Sequence, residues 1–267
     1  MRVGYVQFNP IFGEAKRNLA RIAELIANEH ADLWVFPELC TTGYQFTSKE
    51  ELGELAEPIP DGPSVRALVA LAREKHCHLV AGIAERAGQN CYNSAVLLGP
   101  TGLLAVYRKI HLFFREKLHF TPGDRPFSVV QVNGIPVGLM ICYDHMFPEA
   151  ARVLALQGAL VLLHPANFVI PGVGQLTMRA RALENRVFVV TANRVGQEAR
   201  EEPALLFTGM SQIVGPTGEI LASSDKEGEE ARAVDIAPEK ARDKRLTPLN
   251  DLFCDRRPEF YRPLLGQ

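Results

Sequence analysis

The sequence predicts an α/β protein built from two sheets with helices on their outer faces. Three observations carry this. Strand-like and helix-like segments alternate from the first residue, the order repeats in the second half, and a Gly-Pro-Thr-Gly turn sits between apolar runs at 99–102 and again at 215–218. Alternating elements of this kind build a layered α/β fold. The matched turns, in NSAVLLGPTGLLA and SQIVGPTGEILA, point to two pseudo-symmetric halves.

The first half opens with a β-branched and aromatic strand at 2–8. A helix follows at 16–29, where Leu19, Ile22, Ala23 and Ile26 recur at i, i+3, i+4 and i+7. The apolar run 33–36, stopped by Pro37, reads as a buried strand. Pro63 opens a helix over 63–75, with Val65, Leu68, Val69 and Ala72 on one face. Residues 79–85 form a strand, and 93–98 with 103–107 flank the first Gly-Pro-Thr-Gly turn as a hairpin. In the second half, strands are expected at 136–142, 160–163 and 188–192. Helices are expected at 148–157 and at 175–186, the latter with a core stripe of Leu176, Ala180, Leu183 and Val187. Runs 211–214 and 219–222 flank the second turn. No linker divides the chain, so 1–267 is expected to form a single domain, with the Arg-, Pro- and Asp-rich tail 237–267 wrapping it or docking on a partner subunit.

Composition removes several functional classes. The chain has 29 Lys+Arg against 31 Asp+Glu, a net charge of -2, and so offers no basic footprint for nucleic acid or an anionic membrane. No apolar run reaches the roughly 18 residues of a membrane span, and the N-terminus shows no signal-peptide core. The five cysteines contain no CxxC pair, which disfavours a disulfide framework or a zinc site. A soluble, reduced, cytoplasmic protein is expected, without metal or cofactor.

Three strand ends carry chemistry. Cys142 closes the apolar run 137–141 ahead of a helix opening near Pro148, a place where a nucleophile is held rigidly beside backbone N–H groups. Glu38 directly follows Trp34-Val35-Phe36-Pro37, and a carboxylate so placed calls for a cation or thiol beside it. Lys109 stands among apolar neighbours in Tyr107-Arg108-Lys109-Ile110-His111-Leu112-Phe113.

Taken together, the PEL, RKIHLF and ICYD-HMFPE motifs make this chain resemble the nitrilase (carbon–nitrogen hydrolase) superfamily, and above all its small microbial and archaeal members. The likeness extends from VGYVQF through RALENR to DLFCDRRP. It implies a four-layer αββα sandwich, a homodimer whose C-terminal tail contributes, and a Glu38-Lys109-Cys142 triad. By that resemblance Cys142 attacks an amide or nitrile carbon, Glu38 moves the protons, and Lys109 with the Tyr143 backbone N–H holds the oxyanion. Glu116 matches the family's second glutamate. Tyr44, Phe113 and Asn167 fall where the family lines its pocket, and Cys40 is placed at the pocket wall.

One departure bears on substrate. Many amidase-type relatives carry CYDxRFPE, whereas this chain has Met146 in place of the arginine, which favours an uncharged or apolar substrate. A small amide is expected first, giving a carboxylic acid and ammonia through a thioester. A nitrile or an N-carbamoyl compound is the alternative. A Cys142-His145 dyad lacks papain-type surroundings, and a metal site built on Cys142, His145, His111 or His164 lacks a second ligand pair and would face Lys109. A catalytically silent binding protein on the same scaffold is the non-enzyme alternative.

Overall fold

The structure is a computed structural model and describes residues 1–266. The first half contains β1 (Arg2–Gln7), α1 (Ala15–Leu25), β2 (Leu33–Val35), α2 (Lys49–Leu55), α3 (Pro63–Lys75), β3 (His78–Ala87), β4 (Asn90–Gly99), β5 (Gly102–Arg108) and α4 (Glu116–His119). The second contains β6 (Val129–Val132), β7 (Ile135–Leu139), α5 (Pro148–Leu156), β8 (Val161–Pro165), α6 (Val173–Asn185) and β9 (Phe188–Ala192). A short ribbon of β10 (Gln197–Glu198) and β11 (Leu205–Leu206) follows, then β12 (Gln212–Val214), β13 (Ile220–Ser223) and β14 (Glu230–Asp235). A final ribbon, β15 (Arg245–Thr247) and β16 (Asn250–Asp251), lies in the tail.

Two six-stranded sheets, ordered β14-β1-β2-β3-β4-β5 and β13-β12-β9-β8-β7-β6, repeat one plan. Each has an antiparallel edge strand (β14 or β6), three parallel strands (β1, β2, β3 or β7, β8, β9), and an antiparallel hairpin (β4-β5 or β12-β13). Each Gly-Pro-Thr-Gly turn closes that hairpin in its own half. The repeat read from the two turns is therefore present in the pairing.

Period-two alternation builds the layers. Val3, Tyr5, Leu33 and Val35 point between the sheets, where they meet Val137, Leu139, Val161, Leu163 and Val190. The alternate residues Val6 and Trp34 face α1 and α3 through Ile22, Ile26, Val65 and Leu68. Leu162 and Val189 likewise face α5 and α6 through Ala151, Leu154, Met178 and Ala182. Strands covered on both faces explain the continuous apolar runs of the sequence, and the order of layers is αββα.

Several details differ from expectation. Helix α1 stops at Leu25, with Ile26 as its C-cap, because residues 27–30 are exposed and have nothing to pack against. Strand β7 ends at Leu139 rather than at Cys142; the Asp144 carboxylate takes the Ile141 N–H at 2.8 Å, and Cys142 opens a short 3-10 turn with φ +39°. The expected core stripe of α6 is also displaced. Leu176, Ala180 and Leu183 are exposed, while Gln175, Met178, Arg181, Ala182 and Asn185 face inward, the polar ones bonding backbone carbonyls or Glu184. Finally, β6 and β14 supply edge strands absent from the expected set. Among the described residues, no helix is long and apolar enough to cross a membrane.

Candidate active site

Glu38, Lys109, Glu116 and Cys142 converge where strand ends of the two sheets meet. Beyond β2 the chain stays beside β3, through Phe36 N–H to Val80 O (2.8 Å) and Cys40 N–H to Gly82 O (3.0 Å). This lays Glu38 against Gly82, where a Cβ would fall 2.4 Å from Glu38 Cα. Leu39, at φ +49°, then turns the chain, so Cys40 enters the core under α1 and α3 instead of the pocket wall. Burial pushes the Cys40 thiol up to about 12.

Lys109 follows β5 with its side chain wholly buried. Its Nζ donates to Glu38 Oε1 at 2.6 Å and to Glu116 Oε1 at 2.7 Å. Burial works against the ammonium, but the charges of Glu116 and Glu38 overcome it and raise its pKa. Glu38 Oε1 also accepts from Asn93 Nδ2 at 2.7 Å, whereas Glu38 Oε2 is buried without a partner among the described residues. Glu116 Oε1 takes a second bond from the Tyr44 hydroxyl at 2.6 Å, and its Oε2 accepts the Phe113 N–H. Burial pushes the Glu116 carboxyl up to about 7, with Lys109 pulling against it.

Cys142 is buried, and its thiol is raised well above the ordinary range by burial and then by the Glu38 charge. Lys109 opposes that rise without cancelling it, so the resting group is a thiol. The turn holding it is pinned from two sides. His164 Nε2 lies 3.0 Å from the Cys142 carbonyl; since a carbonyl only accepts, that nitrogen carries the proton. Asp144 accepts from Ile141 N–H, from the Tyr107 hydroxyl (2.8 Å) and lies 2.7 Å from His111 Nδ1. Tyr107 and His111 flank Lys109, so one buried carboxylate fixes the lysine segment against the cysteine turn.

The thiol opens on a cavity of about 220 Å³, lined by Phe113, Tyr143, His145, Met146, Asn167, Phe168, Val169, Ile170, Val173 and Gly174. Three residues expected at the pocket, Phe113, Tyr143 and Asn167, are on this wall. Asn167 Nδ2 donates to Glu38 O at 2.9 Å, and its Oδ1 is buried without a partner. Tyr44 is not on the wall; its hydroxyl serves Glu116. The sequence reading missed Asn93, whose only signal was a polar residue inside the apolar run of β4. It also missed the hold of His164 on the cysteine turn. Chemically, the arrangement supplies a thiol, a carboxylate oxygen free to accept its proton, and an ammonium beside both.

Comparison with known proteins agrees with this geometry. A family model described as carbon-nitrogen hydrolase matches residues 2–245. A nitrilase of Pyrococcus abyssi (strain GE5 / Orsay) is 46% identical over 264 residues, covering 98% of this chain and 99% of that protein. The crystal structure of a carbon-nitrogen hydrolase from Helicobacter pylori G27 superposes with a TM-score of 0.89 at 29% identity, over 99% of this chain and 98% of that one. A glutamate-to-glutamine mutant of the amidase from Nesterenkonia sp. AN1, showing Michael addition of acrylamide at the active-site cysteine, superposes with a TM-score of 0.82 at 27% identity, covering 99% of each chain.

Proposed function

The chain belongs to the carbon–nitrogen hydrolase family of the nitrilase superfamily, and from that premise we propose that it hydrolyses a small, uncharged amide through a thioester on Cys142. The observation that carries the reading is the buried, unpartnered Glu38 Oε2 beside a buried thiol. A buried acceptor without a donor is costly, and here the Cys142 S–H is the donor it can take.

Glu38 removes the thiol proton as sulfur attacks the carbonyl carbon, forming the C–S bond. Lys109 Nζ and the Tyr143 backbone N–H stabilise the oxyanion. The proton on Glu38 passes to the leaving nitrogen, the C–N bond breaks, and ammonia departs from the thioester. Water, deprotonated by Glu38, then attacks that thioester. The acid leaves and Cys142 recovers its proton. Glu116, held by Lys109 and Tyr44, steadies the lysine and the substrate nitrogen.

One feature supports an amide over a nitrile, and the cavity wall bears on the rest of the substrate. Asn167, on the cavity wall, keeps a buried Oδ1 without a partner among the described residues, and an amide –NH2 brings a donor for it where a nitrile brings none. The cavity wall carries no formally charged side chain and is largely aromatic and aliphatic, which supports a neutral acyl group. The nitrilase reading has its own support in the 46% identical relative. A panel of short aliphatic amides, dinitriles and N-carbamoyl compounds, assayed for ammonia release, tests the ordering. Acid from nitriles but not from amides would reverse it, and unchanged turnover by Cys142→Ala would remove the thioester. We further propose a cytoplasmic homodimer seated on α5, α6 and the C-terminal tail, supported by the exposed Leu156, Leu176 and Leu183, with light scattering as its test.

A further inference from the structure

His145 lines the cavity three residues after Cys142 and has no part in the chemistry above. Its ring meets Phe168 edge-on, with centroids 5.0 Å apart. Phe168 reaches that place because residue 174 is glycine, where a Cβ would fall 2.3 Å from the Phe168 ring.

The hydrogen bonds of Thr177 on α6 determine which nitrogen of His145 carries the proton. Thr177 Oγ1 lies 2.6 Å from His145 Nδ1, 2.9 Å from Val173 O and 3.0 Å from Gly174 O. A hydroxyl has one proton and a carbonyl only accepts. The three contacts are satisfied together only if Thr177 donates back to its own helix, as helical threonines do, and accepts from Nδ1–H. A neutral imidazole has one N–H, so Nε2 is left as a bare acceptor. The ring is neutral in neutral solution, because burial and then the charges of Arg181 and Lys109 lower its pKa to about 4. Nε2 has no hydrogen-bond partner among the described residues, and it is not among the buried polar atoms cut off from solvent. The wall around it, from Phe113 and Met146 to Ile170 and Val173, offers it no partner.

We propose that His145 sets substrate specificity by accepting, through Nε2, a hydrogen bond from a neutral hydroxyl or amide N–H on the acyl part of the substrate. This rests on the reading of the cavity as the acyl site of an amide hydrolase. The substrate class becomes small hydroxy-amides and diamides. Plain aliphatic amides leave Nε2 unpaired, and ω-carboxylates set an anionic acceptor against a bare one.

The test compares 4-hydroxybutanamide with pentanamide, and succinamide with succinamate. The donor-bearing member of each pair is expected to have a kcat/KM about 5- to 15-fold higher, the worth of one neutral hydrogen bond. In His145→Phe, which keeps the aromatic contact, that ratio falls to about one. In Thr177→Val the ring loses its Nδ1 acceptor and can carry the proton on Nε2, so the preference moves toward succinamate. A purely structural role for His145 lowers both members of a pair alike. A ratio near one in the unsubstituted protein, or a ratio surviving in His145→Phe, overturns the inference. The same pairs titrated into Cys142→Ala protein, followed by the ¹⁵N shift of His145 Nε2, read binding without turnover. Turnover of no amide would sink the amidase reading alone, since the titration still reports on His145. An Nε2–H tautomer, or equal shifts with 4-hydroxybutanamide and pentanamide, would sink the inference alone.

Discussion

Replacing Lys109 with methionine removes the one charge on which two buried carboxylates depend, while keeping a side chain of similar length. Glu38 and Glu116 each place Oε1 within 2.7 Å of Lys109 Nζ, and the lysine side chain has no exposed surface. At such distances, with an effective dielectric of about 20, each pair attracts by about 6 kcal/mol before desolvation is set against it. Denaturation reads the net penalty of stranding a buried charge, about 3–5 kcal/mol. That penalty depends on pH, because neighbouring carboxylates resist ionising together. Glu116 is already pushed up to about 7 by burial, against the pull of Lys109, and it rises further once the lysine is gone. A carboxyl whose folded pKa exceeds its unfolded value of about 4.3 makes the folded state bind more protons, so stability falls as pH climbs between the two values. In the unsubstituted protein that fall ends just above pH 7, whereas in Lys109→Met it continues. The deficit therefore changes little between pH 5 and pH 7 and widens from pH 7 to pH 9. Urea denaturation followed by circular dichroism at pH 5, 7 and 9 measures it. A deficit below about 1 kcal/mol, or one that does not change with pH, refutes the argument.

Gly82→Ala introduces a Cβ 2.4 Å from both Glu38 Cα and Leu39 N, so the backbone carrying Glu38 must move off Lys109. About a 100-fold loss of kcat/KM is expected with about 1–3 kcal/mol of stability, measured by steady-state kinetics beside thermal melts; intact kinetics would show that the contact does not position Glu38. His164→Phe removes the N–H that holds the Cys142 carbonyl at 3.0 Å, and about a 10- to 100-fold drop in kcat with little change in KM is expected. Because burial lowers the His164 pKa to about 3, its loss leaves the shape of the rate profile between pH 5 and 8 unchanged.

Strand ends were the most legible part of this chain. A charged or nucleophilic side chain directly after a continuous apolar run has few structural reasons to be there; Glu38 and Cys142 have that form, and Lys109 follows its run one residue later, behind Arg108. The structure brings all three together. Apolar periodicity was less informative about direction. In α6 it finds Leu176 and Leu183 correctly as a stripe, but that stripe faces outward, because the inner face is needed for Gln175, Arg181 and Asn185 to bond buried backbone. Sequence proximity also misled at Cys40. Two residues from Glu38, it lies across a left-handed turn at Leu39 that no local pattern marks. Asn93 was illegible for a different reason: its bond to Glu38 joins residues 55 positions apart, and only the pairing of β3 with β4 brings them together.

The repeat also bears on why the proposed mechanism uses one base rather than two. Glu38 lies just beyond β2 and Asn167 just beyond β8, the middle parallel strand of each half, so the duplicated plan puts two polar side chains at equivalent strand ends. One is an acid and the other an amide bonded to the backbone of the first at 2.9 Å. A second carboxylate at 167 would put a third acid around a single lysine whose two short bonds already go to Glu38 and Glu116. It would also forfeit the N–H that fixes the Glu38 backbone. An asparagine keeps that donor and leaves an uncharged Oδ1 without a partner among the described residues at the cavity wall. On the proposed mechanism the two halves thus share one architecture while only the first contributes a proton carrier, with the second supplying the thiol and most of the cavity wall.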